Sequence, residues 1–195
     1  GSDEVVNPCP EVDLSRFGAR DFQDNEPQKP AYDDPGPLPV ELLRVPGFVS
    51  ELMAHTLVSA PYPNTMLAFC GALSLQAFLG GRRVRDQADN RTNIYLLGLA
   101  FPSAGKDWPR KVNARLLHHV GLSQCLGDGF ASGEGIQDIL AVHKTMLFQT
   151  DEIDGMLNMI NSARDHRHEN LMNTLLRLYS SSNSVFAMRP KAGRP

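Results

Sequence analysis

Cysteine is scarce: Cys9, Cys70 and Cys125 are the 3 in 195 residues, and none stands at a paired or metal-type spacing. That excludes a disulfide framework and a zinc finger, and it fits a reducing interior. Long apolar runs are also lacking. The longest, Met66 to Leu79, is interrupted by Ser74 and Gln76, and it falls short of the roughly 18–20 residues that cross a bilayer. The amino-terminal stretch is acidic and carries no apolar segment, so no secretory signal is read there. A dominant charge is missing as well: the net value of -3 gives no global address for nucleic acid. A cytoplasmic protein with no membrane partner is the expectation.

What is present is ordinary globular material, 42% hydrophobic and 21% charged. The charge is unevenly spread. Residues 1–81 hold 4 Lys/Arg against 11 Asp/Glu, whereas residues 82–195 hold 15 against 11. The second part is mildly basic, which suits an anionic ligand without demanding one. Residues 1–39 contain 7 of the 14 prolines and 9 acidic residues, with little periodicity. They read as an acidic, Pro-rich arm or linker.

Residues 40–84 read as a helical lead-in. Pro46 suits a first helical turn, and Val49, Leu52, Met53, Thr56 and Leu57 recur on one helical face. Pro61-Tyr62-Pro63-Asn64 breaks that helix, and Asn64 is placed to cap a second, Met66 to Leu79, which Gly80-Gly81 stops. From residue 85 onward the pattern alternates. Strands are expected over Asn93–Ala100, near Phe130, over residues 145–150 and over Ser184–Met188. Helices are expected through Val112 and Leu116, through Ile136 and Leu140, through Ile153 and Leu157, and through Leu171 and Leu175. Such alternation predicts an α/β fold with a parallel sheet flanked by helices, preceded by the helical hairpin.

The first motif closes the Asn93–Ala100 run: Phe101-Pro102-Ser103-Ala104-Gly105-Lys106-Asp107, followed by Trp108. In a phosphate loop, successive backbone N–H groups turn inward around an anion, and the following helix adds its positive end. Glycine lets the chain approach the oxygens, and lysine reaches the terminal phosphates. The usual pattern is G-x-x-x-x-G-K-[ST]. Here Ala100 stands at the first glycine position and Asp107 replaces the hydroxyl residue. Asp107 can ligate Mg²⁺ but repels bare phosphate, so nucleotide binding is expected to need Mg²⁺ or to be weak. The competing reading is a plain turn in which Asp107 caps a helix opening with Trp108-Pro109.

The second motif is Thr145-Met146-Leu147-Phe148-Gln149-Thr150 running into Asp151-Glu152. Paired with a phosphate loop, Asp151 is the expected metal residue and Glu152 the general base that orients water. Taken alone, the two acids do no more than favour a helix N-terminus. His118-His119 and His166-x-His168 have no third and fourth ligand at zinc-type spacing. Ser132-Gly133-Glu134-Gly135 reads either as a loop beside the phosphates or as a strand-to-helix turn.

Phe101–Asp107, Ala131–Gly135 and Phe148–Gly155 together resemble a bacterial domain-of-unknown-function family of P-loop ATPase-like proteins. Its members are found beside or fused to primases in phage, plasmid and mobile-element replication. The resemblance covers roughly residues 38–195. It implies a P-loop NTPase-like (RecA/helicase-like) fold, ATP and Mg²⁺ as ligands, and self-association from dimer to ring. It also implies a DNA or primase partner. The nucleotide-binding set is then Pro102, Ser103, Ala104, Gly105, Lys106, Asp107 and Trp108; Lys106 and Glu152 are catalytic, and Asp151 and Asp107 face the metal. Such folds place a later strand between the two motif strands, so residues 85–195 are expected to be a P-loop core truncated at its C-terminal end. Two readings are carried forward: an Mg-ATP-dependent ATPase module, and a degenerate, non-hydrolysing scaffold that works through protein contacts. A DNA-binding module without nucleotide is disfavoured by the absence of interleaved aromatic and basic residues.

Overall fold

The computed structural model describes residues 36, 38–129, 132–151, 153–162 and 166–186, with backbone alone at 156, 159–162 and 166–169. The chain divides into the units Gly1–Leu38 and Pro39–Pro195. Most of the acidic arm lies outside the described residues.

The second unit opens with a 3-10 turn, Val40–Leu43, and then the helices α1 (Phe48–Ser59) and α2 (Thr65–Gly80). Val49, Leu52, Met53 and Thr56 are buried along α1, as their spacing predicts. Asn64 caps α2, its side chain accepting from the Leu67 N–H at 3.0 Å. Leu67, Ala68, Ala72, Leu75 and Phe78 are buried along α2. Arg82-Arg83 fall in a 3-10 turn, Gly81–Arg83. Helix α3 (Asp107–His119) crosses α2 at close range, because a Cβ on Gly71 would stand 2.6 Å from that of Pro109. Val112 and Leu117 of α3 join Leu52, Ala72, Leu75 and Leu147 in one core cluster.

Next come β1 (Leu126–Gly127), α4 (Gly133–Val142), β2 (Leu147–Phe148), α5 (Ile153–Ser162) and α6 (His166–Ser180). The two strands pair in parallel, Leu126 opposite Leu147 and Gly127 opposite Phe148. A parallel pair needs a crossover, and α4 lies between the strands in sequence. Gly127 admits the Phe148 ring, which would collide with any Cβ there. Ser132 caps α4 by accepting from the Gly135 N–H at 3.1 Å, so Ser132–Gly135 makes a strand-to-helix turn. The architecture is therefore mixed: mainly helical, with a small parallel sheet.

Two strand expectations differ from what is seen. Asn93–Ala100 joins no ladder among the described residues, and Leu97 and Leu99 are 59% and 83% exposed. The segment does run along α2: the Thr92 hydroxyl donates to the Ala77 carbonyl at 2.7 Å, and a Cβ on Gly98 would stand 3.1 Å from Leu67 Cδ2. It also touches the last helix, His166–Ser180, the Tyr95 hydroxyl donating to the Leu175 carbonyl at 2.6 Å, so among the described residues its neighbours are helices rather than a paired strand. Residues 184–186 are likewise not strand, and 187–188 lie outside the described residues, as does Phe130.

Candidate functional site

The loop before α3 has a specific backbone. Ser103 and Gly105 have φ of 63 and 77, whereas Lys106 has φ -54 and Ala104 is not among the positive-φ residues. The sign of φ thus alternates along residues 103–106. Alternation of this kind turns successive N–H groups toward one concavity, the arrangement that binds anions in backbone nests. The Ala104 N–H donates to the Phe101 carbonyl at 3.2 Å, and the Trp108 N–H to the Gly105 carbonyl at 3.1 Å. Among the described residues, the amides of Gly105 and Lys106 have no backbone partner. Only glycine fits at 105: its φ is left-handed, and a Cβ would run into the Tyr62 carbonyl of the α1–α2 turn.

Asp107 is not the cap of α3. Lys106 holds that position, with helical backbone and no side-chain capping bond. Asp107 is instead the first helical residue, and its carboxylate is engaged by Lys111 at 3.2 Å and Arg110 at 3.1 Å. Two cations within one turn of the helix outcompete the local N–H groups for a carboxylate. The side-chain bonds from Lys111 and then Arg110 hold the Asp107 carboxyl below its ordinary range. Pro109 falls in the first turn, where an N–H has no intrahelical partner to lose. Trp108 turns toward α1: its indole N–H donates to Ser59 Oγ at 3.1 Å, and Arg115 covers the ring at 5.0 Å. It anchors the loop to the hairpin.

The acids arrive from the carboxyl ends of the parallel strands, the edge where open α/β sheets place their ligands. Asp128 follows β1, and Asp151 lies three residues past β2. Lys106 Nζ stands 3.9 Å from Asp151 Oδ1, so the two motifs meet. Arg110 joins them, its Nη2 lying 3.5 Å from Asp151 Oδ2 and its Nη1 3.8 Å from Asp128 Oδ1. Glu152 lies outside the described residues, as does Ala131.

Whether these donors suit a divalent cation depends on where the carboxylates converge. Asp107 and Asp151, from different segments, both reach the same guanidinium nitrogen, at 3.1 and 3.5 Å. Mg²⁺ commonly takes one or two carboxylates and completes its shell with water and phosphate oxygens. The pair fits that donor count. Among the described residues, no group of three or more His, Cys, Asp or Glu is arranged to hold a metal. His118 is exposed, with its Nδ1 3.1 Å from Ser123 Oγ.

Three residues central to this geometry escaped the sequence reading. Arg110 lies four residues after Lys106 and three after Asp107, a helical spacing that puts all three on one face. Asn113 and Gln149 form a part-buried link between α3 and the end of β2, which nothing in their local sequence announces. Comparison with known proteins finds no matching family model, no matching curated protein and no matching solved structure. Among the described residues, no helix is long and apolar enough to cross a membrane.

Proposed function

We propose that this chain is a nucleotide-binding module of the P-loop type, taking Mg-ATP at the edge where α3, β1 and β2 meet. The observation that carries the reading is the 3.9 Å approach of Lys106 Nζ to Asp151 Oδ1, beside a loop whose alternating φ signs suit an oxyanion. Lys106 neutralises the β- and γ-phosphates, and the Gly105 and Lys106 amides bind their oxygens. Asp151 and Asp107 hold the metal, which would offset charge on the transferring phosphoryl group. Glu152, adjacent in sequence to Asp151, orients the attacking water. The resemblance to primase-associated ATPases supports ATP as the nucleotide, ring or dimer assembly, a DNA or primase partner, and a cytoplasmic setting.

The deciding experiment is ATP binding by calorimetry with Mg²⁺ present. Lys106→Ala is expected to weaken binding about 10- to 100-fold, the worth of a charge-assisted contact. Unchanged affinity would remove the loop assignment.

A second reading, a non-hydrolysing scaffold, draws on a different observation. Leu97, Leu99 and Phe101 are 59%, 83% and 87% exposed along one stretch, an apolar surface suited to another protein. ATP turnover by the purified protein separates the two: sustained hydrolysis that Lys106→Ala abolishes favours the enzyme, and binding without turnover favours the scaffold.

A further inference from the structure

Arg110 is the most connected side chain at the site, and the P-loop reading assigns it no role. Its side chain is 30% exposed and meets carboxylates from three segments: Asp107 on α3, Asp128 after β1 and Asp151 after β2. Lys106 and Lys111 differ from it, each reaching one carboxylate, at 3.9 Å to Asp151 and 3.2 Å to Asp107. Among the described residues, Arg110 bridges the two acids that the proposed function gives to the metal. Its planar fork allows that bridge, whereas a lysine ammonium is a single point charge.

We infer that Arg110 and a divalent ion compete for Asp107 and Asp151, the guanidinium yielding these acids when the ion binds. The metal role of the two acids rests on the reading proposed above; the competition is the new element. One guanidinium nitrogen lies 3.1 Å from Asp107 and 3.5 Å from Asp151, so it neutralises the two carboxylates that would face the metal. A dication and a guanidinium drawn to the same two carboxylates repel each other, so each weakens the hold of the other. Asp128, whose side chain is 76% exposed and 3.8 Å from Nη1, gives the displaced guanidinium a resting partner. Arg110 is thus a positioning residue. It keeps the acids together and their charge balanced until metal is present, which answers the repulsion that Asp107 would otherwise exert on phosphate.

The test uses Mn²⁺ alone, with no nucleotide, titrated into the full chain and followed by electron paramagnetic resonance of the free ion. Arg110→Gln is expected to bind Mn²⁺ about fivefold more tightly than the wild type, the scale of one partly exposed ion pair. Lys111→Gln removes the same charge but touches only Asp107, and is expected to gain on the order of twofold or less. Equal gains in the two variants, no gain in Arg110→Gln, or no Mn²⁺ binding by either wild type or Arg110→Gln overturns the proposal. Should Arg110→Gln fail to fold, the Arg110 Nε–H signal of the wild type is followed by NMR while Mg²⁺ is added. A shift that saturates supports displacement, and an unmoved signal overturns it. The nucleotide reading is judged separately, by Lys106→Ala and ATP, so either result can fail without the other.

Discussion

The side-chain amide of Asn113 donates to that of Gln149 across 2.9 Å, and this contact sets the distance between the two motifs. Asn113 is 1% exposed in the middle of α3, and the same nitrogen also reaches the Gly71 carbonyl of α2 at 3.0 Å. Gln149 in turn donates to the Arg110 carbonyl at 3.2 Å. Gln149 stands two residues before Asp151, so the link fixes the end of β2 against the helix that carries Asp107 and Arg110. Asn113→Ala leaves the half-buried Gln149 oxygen without this donor and is expected to cost about 1 kcal/mol. Chemical denaturation measures it, and the Asn113→Ala/Gln149→Ala cycle should show a coupling of at least about 0.5 kcal/mol. Additive losses would mean that the two amides do not act together.

Gly105 is constrained twice over, by its φ of 77 and by the Tyr62 carbonyl against which a Cβ would press. Gly121 provides the control. Its φ of 72 is equally left-handed, but nothing lies within 4 Å of a Cβ there. Gly121→Ala should cost only the left-handed conformational term, about 1–2 kcal/mol. Gly105→Ala should cost more and also weaken phosphate binding, because the loop must retreat from the α1–α2 turn. Thermal unfolding of the two variants side by side gives the comparison, and equal losses would show that the Tyr62 contact is unimportant.

The helical hairpin was legible in the sequence because its determinants are local. The spacing of Val49, Leu52, Met53 and Thr56 and the Asn64 cap each act within a turn or two of helix. The convergence of Lys106 on Asp151 was legible for a different reason: two short motifs in a fixed order imply a shared edge. Strand pairing was not legible at Asn93–Ala100. An apolar run reports that side chains seek cover, not which backbone lies alongside, and pairing is a non-local property. The competing reading of Asp107 as a cap rested on its type, which favours that position. Lys111 and Arg110, one turn ahead, decided otherwise. Arg110 itself was invisible as a bridge, since two of its partners lie on separate segments after β1 and β2.

Trp108 makes the loop observable. It is the 1 tryptophan of the chain, sits at the start of α3 and is tied to Ser59 at 3.1 Å. A ligand on the amides of Gly105 and Lys106 must alter the surroundings of the adjacent indole. Tryptophan emission should therefore change on titration with ATP and Mg²⁺, and that change should be absent in Lys106→Ala. A Ser59→Ala variant should keep the response while losing about 1 kcal/mol of stability, the net worth of one hydrogen bond. An ATP response that persists undiminished in Lys106→Ala would locate the ligand elsewhere.

Acid titration of Asp107 tests the charge arrangement without any ligand. Its carboxyl is held low first by the Lys111 side chain and then by Arg110. The folded-state value therefore lies below the unfolded one, which is near ~3.9 for aspartate. Between those two values the unfolded chain binds more protons, so the stabilising contribution of Asp107 is complete above ~3.9 and is lost as pH falls through the folded value. Exposure of the group keeps this contribution small. Carbon-detected NMR should give a midpoint for Asp107 below that of an ordinary aspartate, and Lys111→Gln should raise it. The stability difference between the wild type and Lys111→Gln should then shrink as the solution is acidified past the folded midpoint. An Asp107 midpoint at or above ~3.9 in the wild type would mean that the two cations do not hold the carboxylate.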